Sequence, residues 1–271
     1  MDAFKVIAAT HWDGASQIPI SIPLILEEPL SIFVQGKSYS VVLRTPGDEI
    51  AHAAGFCFSE GIIDTADDYT SIACCDADDP RMVSVTLTDS RKKKISHILE
   101  RSGFISQTSC GLCGKEMADE FFQDIEPISN DAAVRADRVL ALIENLRDFQ
   151  PLHKKTRASH AAVIYNSDFE PMASAEDAGR HNALDKSIGK VFLANRLKQA
   201  ALVLISSRIS YELVQKAARA RIPIICAISR PTELAVQMAS GLNITLACLA
   251  KDSGLYIYSA PHRIFAAGRT E

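Results

Sequence analysis

Ala201-Leu202-Val203-Leu204-Ile205-Ser206 and Pro223-Ile224-Ile225-Cys226-Ala227-Ile228 are almost entirely apolar, and residues 211–220 between them carry a helical pattern. Apolar runs this short, with no polar alternation, fit strands covered on both faces. Two further strand-like runs, 160–165 and 244–249, and two further helical patterns, 182–197 and 232–240, extend the alternation. Strand and helix in this order predict an α/β fold built on a layered sheet.

Upstream the pattern changes. Leu30, Ile32 and Val34 alternate with their neighbours and the chain returns through 39–43, which predicts a hairpin turning at Gly36-Lys37. Thr45-Pro46-Gly47-Asp48 then stops the strand and offers an N-cap to a helix through Ala51, Ala54 and Phe58, ended by Gly61. Strands are expected at 70–75 and 82–88, on either side of a turn at 76–80. Periodicity vanishes at 102–115, where Ser, Thr, Gly and Cys predict an exposed loop. An amphipathic helix follows, with Ala132, Ala136, Val139, Leu140, Ile143 and Leu146 on one face, and stops at Phe149-Gln150-Pro151. The expected organisation is a smaller N-terminal β-rich portion, 1–125, ending in the cysteine loop, and an α/β domain, 126–271.

Composition narrows the function classes. With 47% apolar residues among 271, the chain has enough material for a substantial core. A net charge of −4 argues against an overall polyelectrolyte match to nucleic acid. The apolar stretch 18–34 is broken by Pro19, Pro23, Glu27, Glu28 and Pro29, so it is not read as a membrane span, and the first residues do not read as a signal peptide. Seven cysteines, an odd number in a chain that needs no covalent staples, point to a reducing cytoplasm.

Three segments carry candidate chemistry. Ser109-Cys110-Gly111-Leu112-Cys113-Gly114 has glycines beside both thiols, which leave sulfur unobstructed, and Lys115 favours a thiolate. Such a pair suits dithiol redox, half of a metal site, or carriage of a persulfide. Zinc needs four ligands, and no second CxxC or HxxxH is present, so no metal is assigned. In Glu176-Asp177-Ala178-Gly179-Arg180-His181-Asn182, the acids would suit the start of a helix, whereas Arg180, His181 and Asn182 would suit a phosphate or a purine edge. Ser206-Ser207-Arg208 follows a buried strand, at the edge where α/β sheets bind ligands, while Ser210 would equally cap the next helix. Cys226 and Cys248 read as core thiols, Cys74-Cys75 as structural, and His52 as a satisfied core residue.

Taken in order, these segments resemble the FdhD/NarQ family of formate dehydrogenase accessory sulfurtransferases, from about residue 29 to 264. The resemblance rests on Thr45-Pro46-Gly47-Asp48, on Gly55 with Ser59-Glu60-Gly61-Ile62-Ile63, and on Cys110-Gly111-Leu112-Cys113-Gly114. Asp148-Phe149-Gln150-Pro151, His160-Ala161-Ala162, the 176–182 segment and Ser206-Ser207-Arg208 complete it.

The resemblance implies a fold similar to the cytidine deaminases, a layered α/β sandwich with a mixed sheet, usually homodimeric. It implies sulfur taken from a cysteine desulfurase as a persulfide on Cys110, with Cys113 protecting, relaying or expelling it. Molybdenum in the bis(molybdopterin guanine dinucleotide) cofactor would receive the sulfur before insertion into formate dehydrogenase. Leu249-Ala250-Lys251-Asp252-Ser253-Gly254 matches the family's cofactor-binding stretch, with Arg180, His181 and Arg208 as further expected contacts. The chain departs from the family at Cys248-Leu249, commonly Gly-Phe, and at Arg157-Ala158-Ser159, where a glycine commonly precedes the histidine. A zinc deaminase is excluded because Ser109 precedes the CxxC and His160 is followed by Ala161-Ala162 rather than x-Glu. The alternative reading is a non-catalytic chaperone that binds the cofactor or the apo-dehydrogenase.

Overall fold

The computed structural model describes residues 2–76, 79–96, 125–130 and 132–266. In the N-terminal half, β1 (Phe4–Trp12) and β2 (Gln17–Ile25) form a hairpin of their own. β3 (Glu28–Val34), β4 (Lys37–Arg44), β5 (Tyr69–Cys74) and β6 (Met82–Leu87) form a second sheet, ordered β4-β3-β6-β5. Helix α1 (Glu49–Ser59) links β4 to β5, and the short α2 (Asp89–Lys94) follows β6.

The remainder holds β7 (Val134–Arg135), α3 (Ala136–Asn145), α4 (Pro151–Thr156), β8 (His160–Asn166), β9 (Pro171–Asp177), α5 (Arg180–Leu193) and β10 (Ala200–Ile205). It continues through α6 (Tyr211–Arg219), β11 (Ile224–Ala227), α7 (Glu233–Gly241), β12 (Thr245–Leu249), β13 (Leu255–Ser259) and β14 (Ile264–Phe265). Six strands make one mixed sheet, β13-β12-β11-β10-β8-β9, in which the neighbouring pairs β10–β11 and β11–β12 are parallel and the others antiparallel. The mixed α/β class expected from the apolar runs is therefore what the chain adopts.

Strand alternation divides this sheet's two faces. Ala162, Ile164, Val203, Ile205, Ile225 and Leu246 join a core that also takes in α5, α6, α7, α1 and the inner face of β3 and β6. Val163, Tyr165, Leu202, Leu204, Ile224 and Ala247 face the other way, onto Val139, Leu142, Ile143 and Leu146. One apolar cluster thus runs from the N-terminal sheet to the large sheet.

Several local expectations are corrected. The β3–β4 turn is Gln35-Gly36, both at positive φ (54° and 73°), because a primed turn matches the twist of the strands; Lys37 already belongs to β4. Asp48 does not cap α1: it sits in the left-handed region, and its carboxylate pairs with Lys190 at 2.7 Å. The helix expected from residue 132 begins at Ala136, since Val134 and Arg135 pair in parallel with β14, and Leu142 rather than Leu140 is buried. β9 and β13, the edge strands of the large sheet, have no counterpart in the expected elements.

Helices α1 and α5 cross at two glycines. A Cβ on Gly55 would stand 1.9 Å from the Asp185 carbonyl oxygen, and one on Gly189 would stand 1.8 Å from that of Ala51. No side chain fits either position without parting the helices. The approach leaves α5 buried along most of its length, including Asp185, Lys186 and Ser187, so its polar groups find partners inside the protein. Lys186 Nζ reaches Asp177 Oδ2 at 2.7 Å and donates to the Thr45 carbonyl at 2.7 Å. Asp185 accepts from Lys216 Nζ at 2.8 and 2.9 Å and from Ser59 Oγ at 2.8 Å. Ser187 Oγ donates to the Ala162 carbonyl.

His52 is buried on α1 as expected, but neither ring nitrogen has a well-formed hydrogen bond. Burial, followed by the charges of Lys186, Lys216 and Arg44, pushes its pKa well below 6.5, against a weak opposing contact with Asn182.

Two outcomes follow from this packing. Gly55→Ala or Gly189→Ala will destabilise the fold by about 3 kcal/mol or more in urea unfolding, because backbone must move. Gly241→Ala, with nothing near its added methyl, will be neutral or stabilise by up to ~1 kcal/mol; equal effects at all three positions would contradict the close crossing. For His52, the unfolded state binds a proton below pH 6.5 that the folded state refuses, so its contribution to stability is present above that pH and falls as pH drops. Replacing it with Gln will flatten the loss of stability between pH 6.5 and 5 by up to ~1.4 kcal/mol per pH unit. Urea midpoints at several pH values check this, and an unchanged slope would place the proton elsewhere.

Candidate functional site

Register decides which side chains gather. Ile205 pairs with Ala227, and Ala227 with Cys248, so β10, β11 and β12 end level with one another. Ser206-Ser207-Arg208, Ile228-Ser229-Arg230 and Leu249-Ala250-Lys251 therefore leave the sheet at one edge. A parallel bridge between Ile209 and Pro231, with Thr232 N donating to Ile209 O at 2.9 Å, carries the pairing beyond the strands. It keeps Arg208 beside Arg230. β8 runs antiparallel to β10 and β9 antiparallel to β8, so His160 and Asp177, paired with each other, reach the same edge, and Arg180 and His181 follow at the start of α5.

The residues expected from sequence, Arg180, His181, Arg208 and Lys251, thus share one edge of the sheet. Leu249 to Gly254 form the β12–β13 turn: Ala250 N donates to Gly254 O at 2.9 Å, Gly254 takes φ 78°, and Lys251, Asp252 and Ser253 are exposed. Sequence reasoning overlooked Arg230. Its signal was present, since Ile228-Ser229-Arg230 repeats the Ser-Arg ending of the preceding strand.

Charges at this edge fall into two sets. Glu176 and Asp177 do not cap α5 but end β9. Glu176 instead accepts from the Leu152 and His153 amides at the start of α4, and from Ser159 Oγ. Asp177 is fully buried and serves Thr45 N, Gly179 N and Lys186. The Asn182 amide is committed to Leu43 O and Asp177, and the Ser206 hydroxyl accepts from Ala161 N. Ser210 occupies the position before α6 but makes no capping bond; its hydroxyl meets His181 Nε2 at 3.2 Å. His181 also stands 3.6 Å from Glu212, and that contact is the largest cause holding the Glu212 carboxyl down to about 2.

The second set lacks partners. Arg180 Nε is buried without a hydrogen bond. Among the described residues no carboxylate lies within 4 Å of Arg208, Arg230 or Lys251. His160 has its pKa lowered, first by burial and then by Arg180, so a neutral imidazole is favoured beside that guanidinium. Arg230 lies over the Tyr256 ring, 5.3 Å from its centroid. Orphaned and unpaired cations at a strand-end edge suit an anion, phosphate above all. No group of three metal-ligating side chains occurs among the described residues.

Cys110 and Cys113 lie outside the described residues. The chain on either side of them is tied to the opposite edge of the large sheet and to α1. Before them, Arg91 donates to Ile62 O and Gly61 O and pairs with Asp64. After them, Ile128 N donates to Leu242 O, and Arg221 and Arg263 hold the carbonyls of Glu126, Pro127 and Asn130. Cys226 and Cys248 are buried in strands as expected, and burial raises the Cys226 thiol to about 12.

Comparison with known proteins places this geometry. The FdhD/NarQ family model matches residues 25–265. A sulfur carrier protein FdhD of Nocardia farcinica is 38% identical over 259 residues, covering 92% of this chain and 91% of its own. That of Bordetella bronchiseptica is 35% identical over 240 residues, covering 89% and 86%. That of Mycolicibacterium paratuberculosis is 34% identical over 264, covering 94% and 96%. A crystal structure from Desulfotalea psychrophila, described as a formate dehydrogenase accessory protein, superposes with a TM-score of 0.77 at 23% identity, covering 97% of this chain and all of that one, and so shares its fold. Motif order, fold and sequence relationship agree: the chain belongs to the FdhD/NarQ family.

Proposed function

We propose that the protein is a sulfurtransferase that carries sulfur on Cys110 to the guanine-containing molybdenum cofactor of formate dehydrogenase. Its relatives bear the name sulfur carrier protein, and the glycine-flanked Cys110-Gly111-Leu112-Cys113 is intact. The observation that carries the choice of an anionic recipient is the set of unpaired cations, Arg208, Arg230 and Lys251, on one edge of the sheet, beside the orphaned Arg180 Nε.

Sulfur loading needs no oxidant. The Cys110 thiolate attacks the terminal sulfur of a persulfide on a cysteine desulfurase, the donor's S–S bond breaks as a new one forms on Cys110, and the donor leaves as a thiolate. Bis(molybdopterin guanine dinucleotide) is then the substrate that receives the sulfur, its phosphates held by the cationic edge. Among the described residues no helix is long and apolar enough to cross a membrane. A cytoplasmic homodimer, layered like the cytidine deaminases, belongs to the same proposal.

Two experiments test it. Incubation with a cysteine desulfurase and cysteine will add about 32 Da per sulfur carried, read by mass spectrometry, and Cys110→Ala will abolish the gain. Equal labelling of wild type and variant would remove Cys110 from the role. Calorimetric titration of GDP will show binding that weakens with salt, and Lys251→Ala will lose about ten- to a hundred-fold in affinity. Equal affinity in the two proteins would remove Lys251 from the site, whereas nucleotide binding with no sulfur gained under any condition would favour the non-catalytic chaperone.

A further inference from the structure

Arg230 is assigned no role by its sequence relationship, yet three observations converge on it. The Ile209–Pro231 bridge sets Arg208 and Arg230 at neighbouring positions of adjacent segments, so two guanidinium groups are held on one edge. Neighbouring segments lie about 5 Å apart at the backbone, so two long guanidinium arms start close enough for one anion to bridge them. No described carboxylate does so. The Arg230 guanidinium also rests over the exposed ring of Tyr256, which limits where its fork points. Finally, Ile228 and Leu249, which follow the paired Ala227 and Cys248, are 40% and 38% exposed and add apolar surface at the same strand ends. Exposed apolar side chains beside unpaired forked cations suit a ligand with a flat ring and more than one phosphate.

We infer that Arg208 and Arg230 form a two-armed clamp for a nucleoside diphosphate, with Tyr256 as the positioning residue for Arg230. This rests on the guanine-nucleotide reading of the edge and extends it: adjacent guanidinium groups reward two linked phosphates over one, so Arg230 determines selectivity for the diphosphate. Arg230 is the arm set by the ring, and Arg208 the arm set by the bridge.

The test compares GDP and GMP by calorimetry on the full-length protein. Wild type will prefer GDP by about tenfold or more, the worth of one charge-assisted contact. Arg230→Ala will lose most of that preference while its GMP affinity changes little. Arg230→Lys, which keeps charge but not the fork, will retain part of it. Tyr256→Phe will behave as wild type, and Tyr256→Ala will weaken GDP alone. Thermal melts of each variant separate misfolding from loss of contact, and Arg230→Lys remains decisive if Arg230→Ala fails to fold. A GDP-to-GMP ratio unchanged in both Arg230 variants would overturn the clamp while leaving the nucleotide site in place. Failure of wild type to bind either nucleotide would overturn the site itself, and the clamp with it.

Discussion

The crossing of α1 and α5 at Gly55 and Gly189 sets the distance on which the rest of the structure depends. Each helix presents bare backbone to the other, with an added methyl group colliding at under 2 Å on either side. At this separation most of α5 is shut off from water, and one core extends from β3 and β6 through the helices to the large sheet. Side chains longer than hydrogen would wedge the two sheets apart and open voids along that cluster.

Burying α5 has an electrostatic consequence. Asp185 and Lys186, adjacent in sequence, point to different partners: Lys216 with Ser59 on one side, Asp177 with the Thr45 carbonyl on the other. Buried pairs of this kind add little net stability compared with apolar packing, but an unpaired member is costly, so they enforce one arrangement. Asp177 is the junction. It ties the end of β9 to the start of α5 and to the segment after β4, and Arg180 and His181 begin from that fixed point. Arg44, buried nearby, faces Glu49 at 3.0 Å and completes the charged interior.

The edge where β10, β11 and β12 end differs in kind. In the interior every carboxylate described above has a cation or an amide, whereas at the ends of β10, β11 and β12 no carboxylate among the described residues lies within 4 Å of Arg208, Arg230 or Lys251. A chain with net charge −4 thus brings three such basic residues together where the sheet presents its strand ends. The described residues on either side of the cysteine-bearing stretch are held away from this edge, by Arg91 before it and by Arg221 and Arg263 after it.

The sequence by itself determined the central strands, because 201–206 and 223–228 are apolar enough to need cover on both faces, and it determined helix α1 and the ending of that helix at Gly61. Period and local turn chemistry act over a few residues and are legible in one dimension. It also carried the ordered motifs that mark the family, with Cys110 among them. It did not reveal β9 or β13, edge strands that are mostly exposed or half exposed and lack a distinctive period. Nor did it reveal that Asp177 serves Thr45, 132 positions away, instead of capping the helix beside it. Only tertiary structure decided which basic residues meet, since Arg208, Arg230 and Lys251 are far apart in the chain and become neighbours through strand register. Pairing between distant segments is settled by the burial of the whole sheet, and no local pattern specifies it.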